Sequence, residues 1–247
     1  MLKNKPGYTH IGTSGWHYKH WKGPFYPKSM KNKELLAFYA DQFQAVEINN
    51  SFYRLPEEET LKNWRDTVPS DFTFCVKASR YITHLKKLKD VEEALNLFLK
   101  RVETLKKKLG PILFQLPPKW HFNRERFFDF LEMLPDNHRY AFEFRDQSWH
   151  NPEAYEALKL MGACFCIYEI DGYISPKEIT TDFIYIRLHG PGAAYQGDYD
   201  TKTLSGWAEA FSAWSDQGNE IFCFFDNDEA GYAIRNAGEL NKMVNKK

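Results

Sequence analysis

The chain has 247 residues, and its 33 lysines and arginines balance 33 aspartates and glutamates, so the formal net charge is zero. That balance argues against a general polyanion binder, which needs a basic surface to release counterions, though not against a local basic pocket. No stretch approaches the roughly 18 apolar residues of a membrane span, and the first seven residues are polar and lysine-bearing rather than leader-like, so a cytoplasmic protein with no membrane partner is expected.

Eight short β-rich runs follow one another: His10–Ser14, Ala45–Asn49, Phe72–Lys77, Pro111–Leu116, Arg139–Arg145, Ala163–Tyr168, Phe183–His189 and Glu220–Asp226. Amphipathic stretches separate most of them. Alternating strand and helix patterns indicate βα units on a parallel sheet, and eight units favour closure into a barrel, for which about 250 residues is usual. The expected fold is α/β, a single (β/α)8 TIM-type barrel with parallel strands, one domain over residues 1–247. Two connections exceed what a barrel needs, Gly15 to about Lys31 and Gly190 to about Thr203. Both follow strand C-termini, the side where barrel enzymes place their sites.

The clearest helix starts at Asp90, with Val91, Ala94, Leu95, Phe98, Val102, Leu105 and Leu109 at helical spacing. Asp90 is its expected cap, Glu93 the capping-box partner, and Gly110-Pro111 the stop. Asn151-Pro152 opens another helix in cap-then-proline order, with Tyr155, Leu158 and Met161 facing inward. In the last helix Ala230, Ala233, Ile234, Ala237 and Val244 share a side. Cys75, Cys164, Cys166 and Cys223 all fall inside expected strands and read as small buried thiols rather than metal ligands.

Barrel strands are buried on both faces and should be apolar throughout. Here several alternate instead: Val46 and Ile48 with Glu47 and Asn49, Phe74 and Val76 with Cys75 and Lys77, Phe114 and Leu116 with Leu113 and Gln115, Phe142 and Phe144 with Glu143 and Arg145, Ile184, Ile186 and Leu188 with Tyr185, Arg187 and His189. Successive side chains on a strand face opposite ways, and helices cover the outer face, so the polar set points inward. It also sits late in each strand, at the C-terminal mouth.

Two readings follow. One is a self-satisfied ion-pair network plugging the barrel, Glu47 with Lys77 and Glu143 with Arg145 or Arg187. The other is a reactive site, because a plug would be cheaper if apolar, and carboxylates beside cations and a histidine have pKa values pushed apart, as acid–base catalysis requires. On that reading Glu143 is the general acid or base, Glu47 its partner carboxylate, and His189 a proton carrier near neutral pH. Lys77, Arg145 and Arg187 bind an anionic group, the arginines in bidentate fashion, while Asn49 and Gln115 orient hydroxyls. Asp226 and Asp228 form a carboxylate patch or, in part, cap the helix that follows. Trp16, His17, Tyr18 and Trp21 after the first strand, Tyr53 after the second and Trp149 after the fifth either stack on a ligand or pack the barrel top. No cofactor is expected. A divalent metal held by His17, His20, His84 or His189 with nearby carboxylates stays as an alternative, without H-x-x-x-H or H-E-x-x-H spacing to support it.

These residues resemble the YecE-like family, known as domain of unknown function number 72. The matching pieces are Ile11-Gly12-Thr13-Ser14-Gly15-Trp16, Glu47-Ile48-Asn49-Asn50-Ser51-Phe52-Tyr53, Phe74-Cys75-Val76-Lys77-Ala78 with Thr83-His84, Phe114-Gln115-Leu116-Pro117-Pro118, Phe142-Glu143-Phe144-Arg145 with Ser148-Trp149, Arg187-Leu188-His189-Gly190, and Phe225-Asp226-Asn227-Asp228. The family often carries Asn where Asp226 stands. The resemblance implies a TIM-type barrel in a bacterial or archaeal cytoplasm, and no established activity. The functional expectations are an acid–base hydrolase, lyase or isomerase acting on a small anionic, phosphorylated or sugar-like substrate; alternatively a nucleic-acid phosphodiester binder or nuclease; or a barrel that binds a metabolite without turnover.

Overall fold

A computed structural model of the protein describes residues 7–245. Its strands are β1 (Thr9–Thr13), β2 (Ala45–Ile48), β3 (Thr73–Lys77), β4 (Leu109–Leu116), β5 (Tyr140–Phe144), β6 (Cys164–Ile170), β7 (Tyr173–Ile174), β8 (Phe183–Leu188) and β9 (Glu220–Phe225). The helices are α1 (Leu35–Ala40), α2 (Glu58–Thr67), α3 (Glu92–Val102), α4 (Arg124–Glu132), α5 (Pro152–Met161), α6 (Thr201–Asp216) and α7 (Tyr232–Val244). The hydrogen-bonded order is β1-β9-β8-β6-β5-β4-β3-β2, with β7 attached to β6 alone, and a parallel bridge from Ser14 to Glu47 links the first strand to the second. Eight parallel strands in this order with helices between them define the (β/α)8 TIM-type barrel. All eight expected strands are present. The short β6–β7 hairpin is additional.

Internal packing divides the chain into two units. The first comprises the described parts of Met1–Glu47, Ile167–Lys177 and Asp182–Lys247; the second comprises Ile48–Cys166 and Glu178–Thr181. In the first unit β9 pairs with β1 (Thr13 opposite Phe225) and with β8 (Leu188 opposite Phe225), so three strand ends lie level. The long connection after β1 folds into an aromatic cluster in which Phe25 meets Trp21, Tyr26, Phe38, Tyr39 and Phe43 at 4.7–6.4 Å between ring centroids. Packing therefore accounts for most of that connection's length.

In the second unit β4 lies between β3 and β5, with Gln115 level with Glu143. Phe114, Phe127, Phe130 and Phe142 interlock mostly edge to face in its core, an arrangement favoured by the ring quadrupole. Asn151 caps α5 as expected, accepting from the Ala154 N–H at 2.9 Å.

The segment from Asp90 to Pro111 departs from expectation. Asp90 has a left-handed φ of +50° and does not cap; Val91 occupies the N-cap of α3 with no side-chain bond. The helix ends at Val102, and a 3-10 turn (Glu103–Lys108) leads directly into β4. Gly110 and Pro111, read as a helix stop, are strand residues. They sit where the register slips, Phe74 facing Leu109 but Val76 facing Ile112. A bulge tolerates a proline that cannot donate to the ladder. Glycine is required beside it, because a Cβ on Gly110 would lie 2.5 Å from Thr73 Cγ2 and 3.0 Å from Cys75 Sγ. Gly110→Ala is therefore expected to cost about 1–3 kcal/mol through overpacking, read as a lower urea midpoint at unchanged slope.

Candidate functional site

In the first unit the parity residues converge on one guanidinium. Arg187 and Glu47 are both fully buried. Arg187 Nη2 donates to Glu47 Oε1 at 2.7 Å and its Nε to Oε2 at 2.9 Å, a fork-to-fork pair. The Ser14 hydroxyl adds a bond to Oε1 at 2.7 Å and the Tyr185 hydroxyl one to Oε2 at 2.8 Å. Glu47 thus accepts from three side chains. Arg187 Nη2 also reaches Asp226 Oδ2 at 3.1 Å.

His189 completes this arrangement. Its Nε2 lies 3.1 Å from Arg187 Nη1 and its Nδ1 lies 3.1 Å from Asp226 Oδ2. A guanidinium only donates, so Nε2 accepts and the ring proton sits on Nδ1, directed at Asp226. His189 is buried and engaged at both nitrogens. The glycine after it is dictated by the following loop: Gly190 has φ +116°, and a Cβ there would meet Gln196 O at 2.0 Å.

Two residues beyond Asp226, Asp228 accepts from the Trp21 indole N–H at 2.7 Å and lies 2.9 Å from His20 Nε2. Burial, with the charge of Asp226 added, pushes the Asp228 carboxyl up to about 6, against the opposing pull of Trp21 and His20. The expected capping role is not found: the N-cap of α7 is Gly231, without a side-chain bond. Instead Asp226 is spent on Arg187 and His189, and Asp228 on Trp21 and His20. Tyr18 donates its hydroxyl to Ser14 O. Burial first, then the charges of Asp226, Asp228 and Glu47, push its phenol far up, so it stays protonated.

The second unit holds the other parity residues. Glu143 is buried and ion-paired with Arg145. Lys77 and Gln115 are nearly buried, with the Lys77 ammonium 4.3 Å from the Phe52 ring centroid. Asn49 is half-buried; its carbonyl begins the 3-10 turn Asn50–Phe52. The Ser51 hydroxyl, bonded to Lys77 O at 2.6 Å, fastens this turn to the end of β3.

The aromatic candidates divide. Trp149 is wholly buried, its indole N–H bonded to Trp120 O at 2.6 Å and its ring enclosed by Trp120, Phe122, Phe127 and Phe144. It is part of the packed core rather than a ligand platform. Trp16 is nearly buried, and its carbonyl accepts from the Tyr26 hydroxyl. Tyr53 is exposed. The sequence shows Tyr185 in the strand alternation and Ser14 and Phe52 in the family motifs, but assigns none of the three a role. Tyr185 shares the parity of Arg187, which was the available signal; hydroxyl partners and a ring beneath a lysine leave no pattern of their own.

Among the described residues no three His, Cys, Asp or Glu side chains gather as a metal set, and no helix is long and apolar enough to cross a membrane. The four cysteines are buried free thiols.

A TIM-type barrel with charged groups at its strand ends defines a broad class. The profile described as "Protein of unknown function DUF72" matches residues 10–247, and the chain belongs to that family. It is 24% identical over 268 residues to the UPF0759 protein YunF of Bacillus subtilis (strain 168), covering 95% of this chain and 94% of that protein. It is 34% identical over 116 residues to the UPF0759 protein YecE of Escherichia coli (strain K12), an alignment covering 43% of this chain and 40% of that one. A crystal structure of a DUF72 family protein from Thermotoga maritima MSB8 is similar at a TM-score of 0.87 with 30% identity, covering 97% of this chain and 100% of that chain.

Two outcomes follow from this geometry. Arg187→Met leaves Glu47 buried without its cation and is expected to cost about 3–5 kcal/mol; Glu47→Gln added to it should restore part of that loss in urea titrations. For Asp228 the folded pKa lies above the unfolded one, so the ionised group weakens the fold. The penalty is absent below the unfolded value of 3.8 and complete above about 6. Asp228→Asn should therefore gain melting temperature relative to the native protein as pH rises through that window, and match it below.

Proposed function

We propose that this protein is an acid–base enzyme, a hydrolase, lyase or isomerase, in which Asp228 carries the transferred proton and Asp226 is its fixed partner carboxylate. The observation that carries this reading is the contrast between two carboxylates two residues apart. Asp226 is bound by Arg187 and His189. Asp228 is partly buried beside it, and that burial pushes its carboxyl up to about 6. Paired carboxyl groups whose environments separate their proton affinities are the usual form of an acid and a base working near neutral pH.

Three carboxylates, Glu47, Asp226 and Asp228, and one guanidinium, Arg187, act together on the Tyr18 hydroxyl. Excess negative charge disfavours an anionic reacting centre at this cluster. A hydroxyl-bearing, sugar-like substrate fits it better, with the Tyr18 hydroxyl and the His20 ring as further polar groups. Glu47, Arg187 and His189 serve as the rigid support that such a centre requires.

The test is a turnover screen with nitrophenyl glycosides, aldoses and sugar acids, followed by pH–rate profiles. Asp228→Asn is expected to lower kcat by about 10²–10⁴-fold and to remove a limb near pH 6, while unfolding stays cooperative and the melting temperature does not fall. A substrate turned over equally well by Asp228→Asn and Asp226→Asn would sink the assignment.

A further inference from the structure

A cavity of about 410 Å³ opens at the N-terminal ends of β4 and β5, with Glu103, Lys106, Gly110, Asn137, His138 and Arg139 in its lining. That is room for a small molecule, since ligand pockets run from about 300 to 1,000 Å³. All of these residues belong to the second unit, and the acid–base reading uses none of them.

Lys106 holds an unfavourable backbone conformation, φ +53° and ψ −127°. These are the angles of the first central position of a type II′ turn, where glycine is the usual residue because a Cβ is strained there. The turn is fixed by its neighbours. Leu105 is fully buried, the Leu109 N–H bonds Lys106 O, and the Lys108 ammonium bonds Arg65 O and Val68 O at 2.6 Å each. Glycine would meet the same constraints with less strain, so lysine at this position is accounted for by its side chain. The Lys106 ammonium makes no hydrogen bond or ion pair among the described residues, and it lines the cavity. Backbone strain of this kind gathers at ligand clamps.

The neighbouring polar groups are ordered. His138 Nε2 lies 3.1 Å from Glu103 Oε1, and the His138 ring meets Tyr140 edge-on at 6.2 Å between centroids. A carboxylate only accepts, so Nε2 donates, and in the neutral ring Nδ1 is left to accept from a hydroxyl. Glu103, the one acidic residue among the described residues of the lining, is thereby engaged. The Asn137 amide makes no hydrogen bond among the described residues and offers both a donor and an acceptor.

We propose that this cavity binds a small hydroxylated oxyanion of the hydroxy-acid or sugar-phosphate class. The Lys106 ammonium takes the carboxylate or phosphate, and His138 and Asn137 take the hydroxyls. Charge alone would admit any anion; the two neutral groups beside it restrict the ligand to one that carries hydroxyls as well. The site is independent of the acid–base reading and survives its failure.

Malate and glycerol 3-phosphate are the probes, one for each source of the oxyanion, with glycerol and chloride at matched ionic strength as controls. The His138 ring protons are followed by NMR in the full chain. At least one probe is expected to move them saturably, and neither control to do so. Lys106→Met should weaken that binding roughly tenfold, about 1.4 kcal/mol, whereas Lys106→Arg should retain it. Lys106→Gly should weaken it equally with no loss of melting temperature, because glycine relieves the turn. Asp228→Asn should bind as the native protein does. Saturation by neither probe, an equal response to glycerol or chloride, or undiminished binding in Lys106→Met overturns the proposal. So does a fall in melting temperature in Lys106→Gly, which would make the lysine a structural part of the turn.

Discussion

A guanidinium with no solvent contact must be neutralised where it stands, because an isolated buried charge costs several kcal/mol even after relaxation. Arg187 is that group here, and the first unit is arranged around it. Glu47 arrives on β2, Ser14 at the end of β1, Tyr185 from β8 itself and Asp226 just past β9. Strand register is what makes these meetings possible: Thr13, Leu188 and Phe225 lie level, so the residues that follow them emerge together. A lysine could not substitute, since a point charge lacks the planar fork that binds one carboxylate through two nitrogens and still reaches a second.

The same cluster shows how identical side chains come to differ. Glu47 is saturated with donors, whereas Asp228 receives one indole N–H and one histidine. Donor supply differs as much as depth does: three side chains donate to Glu47, and two polar groups reach Asp228. Lys77 and Glu143 extend the contrast to the second unit, where a phenyl face and an arginine occupy the corresponding roles.

Much of this was legible from alternation. Glu47, Lys77, Gln115, Glu143, Arg187 and His189 declare themselves as polar residues of one parity in otherwise apolar strands, and all are buried. The strands themselves were legible for the same reason. Partner choice was not, because the meeting of Glu47 with Arg187 depends on registers between segments 140 residues apart. Local rules failed where the sheet overruled them. Asp90 has the chemistry of a cap and Gly110-Pro111 that of a stop, yet β4 captures the glycine and proline at a bulge and the helix ends early. Asp226 and Asp228 likewise read as caps because aspartate before a helix usually is one. The competing attractions, Arg187 and the Trp21 indole, come from distant parts of the chain. Trp149 carries a family motif but no local sign of whether its ring faces a ligand or the core.

Asn227, fully buried between the two aspartates, gives its amide to Gly197 O at 2.8 Å and to Asn236 Oδ1 at 2.9 Å, and Asn236 in turn donates to Asp198 and to Tyr199 O. The strand-like alternation therefore continues past the end of β9, with the carboxylates on one side and an anchor on the other. The phase of the acidic pair is clamped by α7 and the loop before α6. A one-residue insertion or deletion in this short segment would exchange anchor and acid, turning a carboxylate toward the helix and an amide toward Arg187. The length of this segment is thus as tightly held by its hydrogen bonds as the fold around it.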